Sequence, residues 1–134
     1  MSPRPVRRMI RAREPTAEIA LPCDFLSPRV ARRFVTKTLH EGHSDNLVES
    51  AELLVSEVIT RVVVLGCTGI IVTLDDGDAI TITITYSANA LADTDRVPGP
   101  VAPRLARRCT RIDLDDRTIR HVFVLDERSA RAAG

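Results

Sequence analysis

A chain of 134 residues can enclose one hydrophobic core but not two. It is 44% hydrophobic and 28% charged, as ordinary globular domains are, and its net charge of +1 argues against whole-protein attraction to nucleic acid or anionic membrane. Only 3% of residues are aromatic and none is Trp, so Val, Ile, Leu and Ala must do the packing.

Residues 1–15 are rich in Pro and Arg and read as a disordered basic arm, with Arg4, Arg7, Arg8, Arg11 and Arg13 opposed only by Glu14. The arm lacks an apolar run of signal-peptide length, and nothing later approaches a membrane span, so a cytoplasmic location is expected. Without aromatic residues the arm offers nucleic acid no stacking platform. Lys37 is the only lysine among nineteen basic residues, an arginine bias that reads as genome composition rather than phosphate recognition.

TAEIALP (16–22) alternates well enough for an edge strand closed by Pro22. Ser27 before Pro28 is a helix start, with Ser as N-cap and Pro in the first turn. Val30, Ala31, Phe34, Val35 and Thr38 keep one side apolar until Gly42. Ser44 or Asp45 then caps a longer helix. Its apolar residues Leu47, Ala51, Leu54, Val58, Val62 and Leu65 recur every three to four positions, and Gly66 closes it. The half VITRVVVL is rich in β-branched residues, but the unbroken period upstream decides for helix.

IIVTL and AITITITY read as strands joined by a two-residue turn at Asp76-Gly77, with one face buried and the other a row of threonines. Residues 87–100 form a loop long enough for a lid or a binding loop. Val101–Arg108 can make a short helix, TRIDLDD and TIRHVFVLDE a second hairpin around Asp115–Arg117, and RSARAAG a frayed tail. The domain therefore runs from 16 to 126 and the tail from 127 to 134. The expected fold is α+β: a two-layer sandwich whose mixed, mostly antiparallel sheet of about five strands is backed by three helices.

Cys23, Cys67 and Cys109 are odd in number and nowhere spaced C-x-x-C, so neither a disulfide framework nor a zinc knuckle is supported. They read as small buried hydrophobes, with Cys67, after Gly66, the most reachable. His40, Glu41 and His43 lack the H-E-x-x-H spacing and are broken by Gly42, so a solvated turn outweighs a ligand set. Asp75, Asp76 and Asp78 lack the twelve-residue calcium pattern, and a hairpin accounts for them. Arg104, Arg107, Arg108 and Arg111 form a basic stripe, read as a solvated face ahead of an acidic docking patch.

The strand ending LPCD, the helix SPRVARRFV and above all AELLVSEVIT with Gly66 resemble the anti-sigma-factor/serine-kinase ATPases of the histidine-kinase-like (GHKL, Bergerat-fold) superfamily, over about residues 16–126. Actinobacterial relatives carry a long helix reading roughly AELLVSELVTNAVRHG, where residues 51–66 here read AELLVSEVITRVVVLG. The resemblance implies that Glu57 is the general base and that position 61 should be the Asn that binds Mg²⁺ of ATP-Mg. Residues four apart share a helix face, which suits that pairing. Position 61 is instead Arg, which has no lone pair for a metal and brings positive charge where a dication would sit.

The resemblance also expects an adenine-binding Asp where Ser87 stands, and a GGxGL-type lid where RVPGPVAPRLA offers only Gly99 between two prolines. Proline has no N–H for phosphate. Glu57, Arg61, Ser87 and Gly99 thus mark a degenerate ATP site in which Glu57 and Arg61 form an i,i+4 pair, read either as a side-chain cation filling the former metal site or as an ordinary solvated helix pair. The implied protein is a regulatory binding module with ATP turnover lost and no cofactor. Its implied partners are a sigma factor, an anti-anti-sigma protein or another regulator, met through Arg29, Arg32 and Arg33 or the sheet edge, and a homodimer is expected. The rival reading is an active ATP-dependent protein serine kinase using Glu57 and Mg²⁺-ATP.

Overall fold

A computed structural model describes residues 16–133, and the basic arm and Gly134 lie outside the described residues. Strands β1 (Ala17–Leu21), β2 (Cys67–Asp76), β3 (Ile80–Ala88), β4 (Arg108–Asp113) and β5 (Thr118–Leu125) form one sheet in the order β1-β2-β3-β5-β4. Every pairing is antiparallel, so the expected mixed sheet is corrected to an antiparallel one: each described connection is either a hairpin or a return that reverses direction. Helices α1 (Ser27–Leu39), α2 (Asp45–Leu65), α3 (Ala102–Leu105) and α4 (Glu127–Ala133) complete a two-layer α+β sandwich.

The alternation ITITIT does what its period requires. Ile80, Ile82, Ile84, Tyr86 and Ala88 are buried against the helices, and Thr81, Thr83, Thr85 and Ser87 face the other way. On α2, Leu47, Ala51, Leu54, Val58 and Val62 are buried at 2% exposure or less. That apolar stripe holds the β-branched half of α2 helical despite its poor intrinsic propensity. Ser44 is the N-cap and accepts the Leu47 N–H at 3.1 Å. Gly66 ends α2 at φ +98, its N–H bonding to the carbonyls of Val62 and Val63. A Cβ there would lie 2.6 Å from Asn89 Nδ2.

Four local expectations differ from the structure. Ser27 does not cap α1; its hydroxyl donates to the Pro22 carbonyl, and Asp24 accepts the Leu26 N–H instead. The first hairpin turns through Gly77, Asp78 and Ala79, because Asp76 is already paired with Ile80. Residues 127–133 are a fourth helix, not a frayed tail. Asp126 and Ser129 hydrogen-bond each other's backbone N–H at 2.8 and 3.0 Å, and Ala130 is buried against the core. Finally, Cys67 is buried while Cys109, on the edge strand β4, is exposed. Cys23 Sγ accepts the Cys67 N–H at 3.1 Å, and burial together with the neighbouring Cys23 thiol pushes the Cys67 thiol up to about 12.

No described helix is long and apolar enough to cross a membrane.

Candidate functional site

Two side chains one turn apart on α2 define the candidate site. Arg61 Nε donates to Glu57 Oε2 at 2.9 Å, with the two side chains 34% and 30% exposed respectively. At that exposure an i,i+4 pair contributes only about 0.3–0.5 kcal/mol to stability. Its position matters more than its strength. Arg61 lies directly against Gly99, in the loop between β3 and α3. A Cβ built on Gly99 would stand 2.6 Å from Arg61 Cδ and Cζ and nearer still to Nε. Gly99 has φ +88, in the region that side chains disfavour. The loop backbone and the guanidinium thus occupy adjacent space with no gap for another group between them.

Beside the pair lies an open groove of about 550 Å³. Glu57, Thr60 and Arg61 form one wall, and Leu91, Asp93 and Arg96 of the loop form the other. Among the described residues no cluster of His, Cys, Asp and Glu could hold a metal ion. The Arg61 guanidinium, bonded to Glu57, supplies no metal-ligating lone pair.

Ser87 does not belong to this arrangement, and its assignment to one site with Glu57 and Arg61 is corrected. It lies on the sheet face opposite the helices, where its hydroxyl meets Thr118 Oγ1 at 3.0 Å. It lines a separate hollow with Thr68, Asn89 and Asp115. The reason is the two-residue period of β3: Tyr86 and Ala88 point inward, so the residue between them must point out. Arg29, Arg32 and Arg33 lie on the exposed side of α1, remote in sequence and element from the pair.

The inner sheet face under the loop is filled by groups not singled out from the sequence. Tyr86, His121 and Phe123 stack with centroids 5.9 and 6.0 Å apart, each ring 1% exposed or less. Val97, from the loop, is buried in the same core at 2% exposure. Burial, with the nearby Arg111 charge, pushes the His121 imidazole down to about 4; burial pushes the Tyr86 hydroxyl up to about 12. Tyr86 Oη and His121 Nε2 have no hydrogen-bond partner among the described residues. Both groups are therefore held neutral at pH 7.

The loop is strapped to the sheet by Arg111. Its guanidinium donates to the Thr94 carbonyl at 3.2 Å, to Thr94 Oγ1 at 3.0 Å and to Asp113 at 2.8 Å. Arg107 pairs with Asp126 at 2.9 Å. Half of the predicted basic stripe is thus structural. Arg111 pairs in register with inward-facing His121, so it shares that face. His43 is likewise structural, bonding Asp76 at 2.9 Å and tying the α1–α2 turn to β2.

Comparison with protein-family models and with curated proteins gives no match for this chain.

Proposed function

We propose that this chain is a regulatory protein-binding module of the anti-sigma-factor type, built on a histidine-kinase-like scaffold, with ATP turnover lost. One observation carries the reading: Arg61 pairs with Glu57 and closes onto Gly99, at the positions the family resemblance gives to the metal ligand, the base and the phosphate lid. A metal-bound triphosphate does not fit those residues. It would need the Glu57 carboxylate free, a neutral oxygen ligand at position 61 and bare loop N–H groups, and it would meet a cation, Pro98 and Pro100. The buried stack and Val97 add steric filling on the same sheet face.

With chemistry removed, function falls to contact. The partner is a sigma factor, an anti-anti-sigma protein or a comparable regulator, and the surfaces free for it are α1 around Arg29, Arg32 and Arg33 and the two sheet edges, β1 and β4. A second reading keeps a serine kinase, because Glu57 lines an open groove that a substrate hydroxyl could enter. Calorimetric titration separates the two. No binding of Mg-ATP up to about 1 mM is expected. Magnesium-dependent binding near 10 μM (about −7 kcal/mol) would overturn the first reading.

A further inference from the structure

We infer that Cys23 and Cys67 are a reversible dithiol–disulfide pair, oxidised by thiol exchange with a low-molecular-weight disulfide such as oxidised glutathione. The two cysteines are 44 residues apart in sequence, and the sheet brings them together. Strand β1 ends with Leu21 opposite Ile70 of β2, so the chain leaving β1 runs beside the chain entering β2. Cys23 follows Pro22 just past that end, and Cys67 is the first residue of β2. Cys23 Sγ accepts the Cys67 N–H at 3.1 Å, and its S–H makes a weak contact with the Val63 carbonyl at 4.0 Å. The Cys23 sulfur is therefore held against the backbone of Cys67, and it is near enough to the Cys67 sulfur to perturb it. A disulfide needs Cα atoms about 4.4–6.8 Å apart, which is the spacing of residues facing each other across antiparallel chains.

The two sulfurs differ in the way such a pair requires. Cys23 is half-buried and open to solvent on one side, whereas Cys67 is 9% exposed. Burial, with the neighbouring Cys23 thiol, holds Cys67 protonated at pH 7. Cys23 is therefore the attacking residue and Cys67 the resolving one. In the first step the Cys23 thiolate attacks one sulfur of oxidised glutathione. The glutathione S–S bond breaks, a bond from Cys23 Sγ to glutathione forms, and one glutathione leaves as its thiolate. In the second step Cys67 gives up its proton and attacks Cys23 Sγ, expelling the other glutathione thiolate. Two protein thiols are oxidised, one small disulfide is reduced to two thiols, and the two protons lost by the cysteines end on the two glutathiones. Once Cys23 carries glutathione it is no longer a thiol, so one of the causes that hold Cys67 protonated is gone. Cys109 is the contrast. It is exposed on β4, at the edge of the sheet opposite β1, and without a second thiol it stops at a mixed disulfide.

The new bond closes residues 23–67, which contain α1 and α2 whole, into one covalent loop. Both of its ends are turning points. The Ser27 hydroxyl bonds the Pro22 carbonyl at the entry to α1, and Gly66 ends α2 at φ +98. Oxidation therefore ties the start of α1, with exposed Leu26, to the junction of α2 and β2 and limits how far α1 can shift against the sheet. The inference rests on none of the nucleotide-site reading.

Exchange with glutathione tests it in the full chain carrying Cys109→Ser, which removes the competing thiol. After incubation with about 5 mM oxidised glutathione, peptide mapping should find Cys23 joined to Cys67 with no glutathione retained, and dithiothreitol should reverse the change. A crosslink across so long a loop should raise the thermal midpoint by about 10 °C. Adding Cys67→Ser should stop the sequence at one glutathione on Cys23, whereas adding Cys23→Ser should leave Cys67 unmodified. Circular dichroism checks the fold of each variant, and the result for the protein with both thiols intact does not depend on them. Glutathione that stays on Cys23 beside a free Cys67, modification of Cys67 ahead of Cys23, or a crosslink that fails to raise the midpoint would each overturn the inference. So would two thiols that remain reduced throughout. None of these results bears on the Mg-ATP titration, so the two readings fail separately.

Discussion

Replacing Gly99 with Ala tests whether Arg61 really rests on the loop backbone. The methyl group meets two separate obstacles. Gly99 has φ +88, and a side chain in left-handed backbone costs about 1–2 kcal/mol. The same methyl would stand 2.6 Å from Arg61 Cδ, so the guanidinium must swing away and give up its bond to Glu57 and its packing on the loop. Because Arg61 is the far end of a flexible chain, this second part is smaller, about 0.5–1 kcal/mol. Gly99→Ala should therefore cost about 1.5–3 kcal/mol in wild type but only about 1–2 kcal/mol in an Arg61→Ala background, where the clash is gone. Urea unfolding followed by far-ultraviolet circular dichroism, with unchanged slopes, measures both. Gly99→Asn divides the parts further, since Asn tolerates left-handed backbone and keeps only the steric part. If Gly99→Ala costs the same in both backgrounds to within about 0.3 kcal/mol, Arg61 does not close onto Gly99 and the central contact is wrong.

Acid should destabilise the fold through His121. Its folded pKa of about 4 lies below the unfolded value of 6.5, so the unfolded chain takes the proton first, and stability falls as pH drops from about 6.5 to about 4, by up to about 3 kcal/mol. The urea midpoint at a series of pH values reads this slope, and His121→Leu should flatten it. Arg61→Asn restores one ligand type but leaves Val97 and the proline-flanked lid in place, so calorimetry should still detect no Mg-ATP binding. Maleimide labelling with mass mapping should modify exposed Cys109 before the buried Cys67, and Cys109→Ser should remove the fast phase. Ser44→Ala removes the α2 cap and the hydroxyl's bond to Glu127 while leaving the backbone N–H bond to Glu127, and should lower stability by about 1 kcal/mol in the same urea assay.

Much of the fold was legible because its signals are local. The period of β3, the Ser44 cap and the Gly66 stop each depend on residues within a few positions, and each appears in the structure as read. The failures are of two kinds. Helix α4 is announced by only two residues, Asp126 and Ser129, whose reciprocal bonds outweigh a composition that reads as tail. The other failures concern side-chain direction and distance. Ser87 stands where the family resemblance expects an adenine-binding Asp, but the Thr/Ile alternation of β3 puts it on the outer face. Arg111 looked like one member of a solvated stripe, because its partners Thr94 and Asp95 lie 17 and 16 residues away and only the folded sheet brings them together.

The position of Ser87 alters the grounds on which loss of ATP chemistry is proposed. Three substitutions in one site would each remove a ligand, but Ser87 lies in another place and says nothing about adenine. What stands in its stead is occupancy. An adenine on the inner sheet face would have to share space with the Tyr86–His121–Phe123 stack and with Val97, all 2% exposed or less. Restoring a ligand at position 61 leaves that volume filled, and Val97→Ala leaves both the ring stack and the cation at 61 in place. Single changes should each fail to recover nucleotide binding for different physical reasons. If Arg61→Asn alone bound Mg-ATP, the filled face would be irrelevant and charge at position 61 would be the whole obstacle.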